Sequence, residues 1–334
     1  MRQFNRIIAV ASVAALTVSF AASASAQTKI RVGFSVIPIH LAALIFQGSG
    51  APVHQGKTHT TDMIHFRGSA AQLTAIAAGE IDLAVLAFST FGGGVVNARQ
   101  DIVALADVAR DGPQFTNVFG VLENSPIKSV KDLKGKVLAI NGKGGAVDIA
   151  ARMVMLRNGL KPGRDVTIVE ARFGAMEAML RQGKTDVSVL IAPFWARANA
   201  KGGVRSLFTQ KDGVGDTQFL LYVAKRDYVK KNRPVLVDWL EDYLRGTAWA
   251  LDPKNRDTAI DLSAKLTKRN RKAFTGWAFT KSGDLYHDPK GRLDVPTLQR
   301  NVDVLHKFGI LRRTFDVTKH VDESLVIEAA GRIK

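Results

Sequence analysis

The feature that most limits what this chain can become is a unit that occurs twice. The first copy spans Arg67 to Phe91, RGSAAQLTAIAAGEIDLAVLAFSTF. Gly68 and Ser69 open a helix, with Ser69 as its cap and Gln72 three residues on as the reciprocal partner. Leu73, Ile76 and Ala77 give that helix one apolar face, and Gly79 can take the left-handed turn that ends it. Ile81 to Phe88 is an apolar run broken only by Asp82, the pattern of a strand buried on both faces of a parallel sheet. It stops at Ser89, Thr90 and Phe91, at the carboxyl end of the strand, where open α/β sheets place their ligands. The second copy runs from Ala175 to Trp195, AMEAMLRQGKTDVSVLIAPFW. Gly79 answers to Gly183, Asp82 to Asp186, Val85 to Val189 and Phe91 to Trp195. Any two αβ units share some of this pattern. The sharper reading is an α/β protein of two similar lobes whose strand ends face one another across a cleft.

A length of 334 residues suits two domains better than one core. With 46% hydrophobic and 23% charged residues the chain is globular in type. Its net charge of +17 points to an anionic partner. The basic residues are dispersed, however. The densest cluster, Lys268-Arg269-Asn270-Arg271-Lys272, follows a helical pattern and reads as a solvated surface. No basic stretch is interleaved with aromatics in the manner that stacks bases, so nucleic acid is not an expected partner. The chain has no Cys, which excludes disulfides, thiolate metal sites and a Cys nucleophile.

Residues 1–26 read as a secretory signal peptide. Arg2 and Arg6 form a positive start, Ile7 to Phe20 is apolar, and Ala24-Ser25-Ala26 is a small-x-small site that predicts cleavage after Ala26. The apolar stretch is shorter than the ~20 residues of a membrane span. Cleavage removes those two arginines and no acid, leaving +15. With no Cys at the cleavage site, the mature chain is not expected to be a lipoprotein.

In chain order, Lys29 to Val36 reads as the first strand and Leu41 to Phe46 as a helix, joined by a turn at Pro38. That places Ser35, Ile37 and His40 at one edge of the cleft. His40 is either a donor to an anion or a structural residue. Gln47 to Thr61 is a polar loop. His54, His59 and His65 fit no compact zinc spacing, so no metal is expected there. Met63 to Phe66 reads as a short strand, Gly92-Gly93-Gly94 as a turn before a helix, and Ile102 to Asp107 and Phe115 to Leu122 as strands. Val137 to Asn141 is a strand that enters a helix marked by Ile149, Met153 and Leu156 through Gly142 to Ala146. Gly144, Gly145 and Ala146 would there present free amides to an anion, or merely form a turn. Val166 to Ala171 delivers Arg172 and Phe173. Arg172 is either an anion clamp or half of a surface ion pair. Val187 to Ile191 delivers Pro193, Phe194 and Trp195, to cover a ligand or to pack beneath the cleft. Phe219 to Lys225 reads as a returning strand. Pro234 then suits a first helical turn, and Leu236, Leu240, Tyr243, Leu244 and Ala248 form a core stripe. Asn255 to Lys268 and Pro296 to Phe308 are further amphipathic helices, with Trp277 and Tyr286 in the loops between.

The segment Ser125 to Ile140, SPIKSVKDLKGKVLAI, resembles the lobe crossover of periplasmic solute-binding proteins of ABC importers, in the branch with nitrate-, sulfonate-, taurine- and pyrimidine-precursor-binding members. Ala75 to Asp82 (AIAAGEID) is similar to that family's Ala-Leu-x-x-Gly-x-x-Asp element, and Ala192 to Ala198 (APFWARA) to the segment that closes over the ligand. The polar loop at 47–61 stands where the family has a Gly-aromatic-acidic element. The resemblance implies a two-lobe type II periplasmic-binding-protein fold, each lobe a mostly parallel sheet flanked by helices. It divides the chain into 27–121 in lobe 1, 122–218 in lobe 2 and 219–334 returning to lobe 1. It further implies a monomer without a cofactor that closes on a small ligand and passes it to permease and ATPase subunits. Arg172, His40 and the helix-start loop favour an organic anion. Phe34, Phe91, Phe173, Phe194 and Trp195 favour an apolar or aromatic body, so a sulfonate or an aromatic carboxylate fits both. Two other functions use the same scaffold. A secreted enzyme lacks support from any G-x-S-x-G or H-E-x-x-H motif. A sensor that presents the closed state to a receptor looks the same in sequence as a transport component.

Overall fold

The computed structural model describes residues 27–111, 116–280 and 285–333. The expected leader at 1–26 and its cleavage site lie outside the described residues. The described residues form ten strands and twelve α-helices. They are β1 (Thr28–Phe34), α1 (Leu41–Ile45), β2 (His59–His65), α2 (Ser69–Ala78), β3 (Ala84–Ala87), α3 (Phe88–Val96), β4 (Ile102–Ala109) and β5 (Val118–Leu122). Next come β6 (Val137–Ile140), α4 (Ala146–Arg157), β7 (Thr167–Glu170), α5 (Phe173–Arg181), β8 (Val187–Leu190), α6 (Phe194–Lys201), β9 (Val204–Thr209) and α7 (Gln210–Val214). The return comprises β10 (Leu220–Lys225), α8 (Arg226–Leu251), α9 (Arg256–Thr267), α10 (Lys272–Thr275), α11 (Val295–Lys307) and α12 (Ser324–Arg332).

Two sheets of the same design result. One is ordered β7-β6-β8-β5-β9, with β5 antiparallel to both neighbours and β6 parallel to β7 and β8. The other is ordered β3-β10-β4, with β10 antiparallel to both neighbours. The parallel pair β1-β2 extends it through the bridge between Val32 and Leu83. In each lobe the strand that arrives from the other lobe is therefore the antiparallel one. β5 already belongs to the second sheet, so the chain has crossed by Val118, ahead of the boundary expected at 121/122. The crossings are tied together at Asp111: Gln210 and Thr217 Oγ1 (2.8 Å) both donate to its buried carboxyl, and Asn117 donates to Gln210 at 3.1 Å.

The repeated unit has a physical basis. Gly79 and Gly183 both sit at positive φ, 74° and 68°, and stop their helices. Three residues on, each aspartate accepts a hydrogen bond from the backbone of a parallel strand, β1 or β6: Arg31 N to Asp82 and Val137 N to Asp186, both 2.8 Å. The aspartate amides return the bond, to Arg31 O at 2.8 Å and Val137 O at 2.9 Å. These acids thus join strands at the far end from the cleft. In the crossover segment, Ser129 and Asp132 cap a short turn reciprocally, and Leu133 is buried.

Several elements differ from expectation. The run Ile81–Phe88 is strand only as far as Ala87. The chain enters α3 at Phe88, with Gly92, Gly93 and Gly94 inside the helix. A Cβ on Gly94 would lie 2.9 Å from Leu73 and Ile102, so this glycine permits close packing of a buried helix and makes no turn. Ser69 is the first residue of α2, capped by Gly68 without a side-chain bond, and does not pair with Gln72. Leu156 is exposed, as is Ala248 in the otherwise buried α8 stripe. Helix α8 runs from Arg226, with non-helical angles at Asn232, so that Pro234 opens its second segment. Strand β2 starts at His59, within the expected loop.

Candidate functional site

The carboxyl ends of the parallel strands converge between the lobes. β1 delivers Phe34 to Ile37, β2 delivers His65 and Arg67, β6 delivers Asn141, and β7 leads to Arg172. All but Asn141 line a cavity of about 680 Å³, and Asn141 lines two smaller recesses beside it. The cavity shares Ser35, Val36 and Phe173 with a deeper recess of about 60 Å³, and Arg67 with a side recess of about 100 Å³.

Hydrogen-bond donors stand in an otherwise largely apolar wall of the deep recess. Buried Gln72 accepts from Val85 N at 2.8 Å and donates to Ser35 Oγ at 3.1 Å, while Ser69 Oγ accepts from Ala87 N at 3.1 Å. Each serine oxygen is thus held as an acceptor, and its proton remains to be donated. The first turns of α2 and α4, beginning at Ser69 and Ala146, add amides without intrahelical partners and the positive ends of two dipoles. Asn141 stands between these helix starts. Its Oδ1 is buried without a partner, and its Nδ2 lies 2.7 Å from where a Cβ on Gly68 would be.

The large chamber is cationic. Arg67, Arg172, Arg269 and His65 line it, and no Asp or Glu is among its described lining residues. Arg67 is paired with Glu170 of the side recess at 3.1 Å. Arg172 and Arg269 make no salt bridge among the described residues. The Arg269 guanidinium lies 4.8 Å over the Phe194 ring, which stacks on Phe173 with centroids 6.4 Å apart. Partial burial, and then neighbouring Arg197, lower the pKa of Arg269 from its ordinary value, as befits a cation without an acid partner.

Of the residues selected from sequence, Ser35, Ile37, Gly68, Ser69, Gly145, Ala146, Arg172, Phe173, Pro193 and Phe194 line the chamber or its recesses. Six lie elsewhere. His40 is buried and accepts from Ser35 N at 3.1 Å; burial, then His287 and His65, push its pKa down to about 3, so it is neutral and holds the turn. Phe91 is in the core against Phe315. Ser89 is buried in α3, and Thr90 donates to Gly144 O across the lobes at 3.3 Å. The Gly144 amide is taken by Asp148 at 2.8 Å, and half-buried Trp195 on α6 is not among the residues that line the chamber. Sequence reasoning missed Asn117, Asn141, Leu266 and above all Arg269. Arg271, in the same basic cluster, is engaged by Asp257 and Asp261 on the surface. The histidines of the polar loop bind acids of α8: His54 is 3.0 Å from Glu241 and His59 is 3.2 Å from Asp242. Trp277 is buried, and Tyr286 is exposed beneath Arg110.

Comparison with known proteins follows the same line. A family model described as NMT1/THI5 like matches residues 62–256. A candidate aliphatic sulfonates-binding protein of Escherichia coli strain K12 is 30% identical over 207 residues, which are 60% of this chain and 60% of that protein. The match thus spans less than two thirds of the relative's length. The crystal structure of the periplasmic aliphatic sulphonate binding protein of Escherichia coli superposes with a TM-score of 0.67 at 21% identity, covering 90% of this chain and 99% of the other. For the periplasmic nitrate-binding protein of Synechocystis PCC 6803 the TM-score is 0.72 at 15% identity, covering 92% and 90%. The fold is therefore that of periplasmic binding proteins. A desulfurization enzyme shares it at a TM-score of 0.65 and 14% identity, covering 92% of this chain and 100% of the other, so fold alone does not separate binding from turnover.

Proposed function

We propose that this chain, which belongs to the NMT1/THI5-like family, is the periplasmic substrate-binding component of an ABC importer and captures a small organic anion. The observation that carries this reading is the chemistry of the cleft. Two serine hydroxyls and two helix starts face a space whose large chamber holds, among the described residues, two unpaired arginines and no acid. A sulfonate or carboxylate supplies the acceptors and the charge that such a set lacks. Phe34, Phe173, Phe194 and Leu266 supply an apolar wall for its body, aromatic or alkyl. The names of the sulfonate- and nitrate-binding relatives support the same class. Binding energy then closes the lobes, and the closed form hands its ligand to a permease driven by an ATPase. No chemical step is required.

Thermal unfolding of residues 27–334 against a panel of sulfonates, nitrate, aromatic and aliphatic acids, and pyrimidines tests this. A ligand at about a hundred times its dissociation constant adds ~2.7 kcal/mol to the native state. The expected result is a raised midpoint with one class of organic acid, reduced in Arg172→Gln. Stabilisation by a neutral or cationic pyrimidine alone would overturn the anion assignment. Turnover of the stabilising acid by the purified protein would favour the secreted enzyme.

A further inference from the structure

The cleft has two places for negative charge, and they are different in kind. The deep recess offers the Ser35 and Ser69 hydroxyls and the starts of α2 and α4, with no basic side chain among its described lining residues. The chamber outside it offers Arg172 and Arg269, neither neutralised by an acid among the described residues. Phe173 lines both spaces, and Phe194 continues its apolar face to Arg269. On the reading of the cleft as an anion site, we infer that the ligand is a dianion: two acid groups joined by a short apolar or aromatic spacer, one in the recess and the other at the Arg172–Arg269 pair.

A single acid group satisfies only half of this arrangement. Seated on the helix starts, it leaves two guanidiniums unbalanced in the chamber. Seated on the arginines, it leaves the serine hydroxyls and helix-start amides of the recess to solvent. The volume agrees. About 680 Å³ falls in the range of roughly 300–1,000 Å³ for small-molecule sites, far beyond what a four-atom anion fills. Spacing the two acids by an apolar body keeps their mutual repulsion low and covers Phe173. The stack of Arg269 on Phe194 also leaves the guanidinium edge available to a carboxylate or sulfonate.

Calorimetric titration with matched pairs tests the inference: benzenesulfonate against 4-sulfobenzoate, and benzoate against terephthalate. A second acid that meets an arginine should tighten binding by about ten- to a hundredfold. The ratio of diacid to monoacid affinity should fall towards one in Arg172→Gln and in Arg269→Gln. It should persist in Arg271→Gln, which removes the same charge from a surface ion pair. Both cleft arginines are solvent-exposed, so their replacement does not empty the core. Equal affinity for the two members of both pairs overturns the inference while leaving the anion site intact. So does a gain that survives both cleft substitutions. Failure of every acid, single or double, to bind removes the anion reading itself.

Discussion

Replacing Asp242 should loosen the first lobe more than any other single change of charge. Its carboxylate is buried and accepts from the amides of Val53 (2.6 Å), His54 (3.0 Å) and Gln55 (2.8 Å), and it lies 3.2 Å from buried His59. One side chain of α8 thereby fastens the polar loop and the start of β2. Register pairing carries that fastening from His59, opposite Thr28, to His65, opposite Phe34, at the cleft. In Asp242→Ala three amides lose their acceptor and His59 loses its polar neighbour. An imidazole left buried without a partner costs about 1–3 kcal/mol. Orphaned amides add about 1–3 kcal/mol each where the loop cannot open to water. We expect a loss of at least about 3 kcal/mol, a large part of the ~5–15 kcal/mol of a native domain. Asp242→Asn keeps one acceptor and should lose less. The effect depends on pH with a definite sign. Burial alone would raise the Asp242 pKa, but His59 and the three amides outweigh it and hold it below the usual range. Its contribution is therefore present above the unfolded value of about 3.9 and fades as pH falls through the lower folded value. Urea unfolding of wild type and both variants at pH 7 and pH 3 is the assay. A change in Asp242→Ala below about 1 kcal/mol at pH 7 would refute the reasoning.

Two further outcomes follow from the packing. His40 is folded in its neutral form, with a pKa near 3, so the unfolded chain binds more protons below its ordinary value of about 6.5. Stability should fall by up to about 1.4 kcal/mol per pH unit below that value, and His40→Asn, which keeps an acceptor for Ser35 N, should flatten the fall in denaturant titrations at pH 7 and pH 5. Gly246→Ala would drive a Cβ of α8 into buried Ile45 of α1, costing about 1–3 kcal/mol in thermal unfolding, and an unchanged midpoint would show that the helices can part freely.

The duplicated unit was legible because its signals are local and obligatory. A left-handed glycine and a strand-joining aspartate leave fixed marks at fixed spacing, and both copies place them alike. The crossover turn was legible for the same reason, in Ser129, Asp132 and Leu133. What the pattern does not carry is which neighbour meets a residue from far along the chain. Three glycines in a row look like a turn, yet α3 is a helix because Leu73, Ile102 and Leu311 crowd Gly92 and Gly94. Phe91 ends its unit as Trp195 does, but Phe315 covers it. Arg269 stands in a basic cluster that reads as surface. Lys268 takes a left-handed conformation (φ 52°) at the end of α9, after which Arg269 lies over Phe194 of the other lobe while Arg271 turns back to Asp257 and Asp261. His40 sits beside the cleft in sequence, but its ring is spent on the backbone that shapes it.

The central claim is that a small anion is gripped between the lobes, and small-angle X-ray scattering tests it most directly. The radius of gyration of the purified chain would be measured alone and with a saturating concentration of the acid that most raises its unfolding midpoint. The account predicts a smaller radius with the acid bound, because the proposed site draws its donors from both lobes, Ser35 and Ser69 in one and the start of α4 and Arg172 in the other. An unchanged radius at full occupancy, with a ligand-free chain no more open than the bound one, would contradict it.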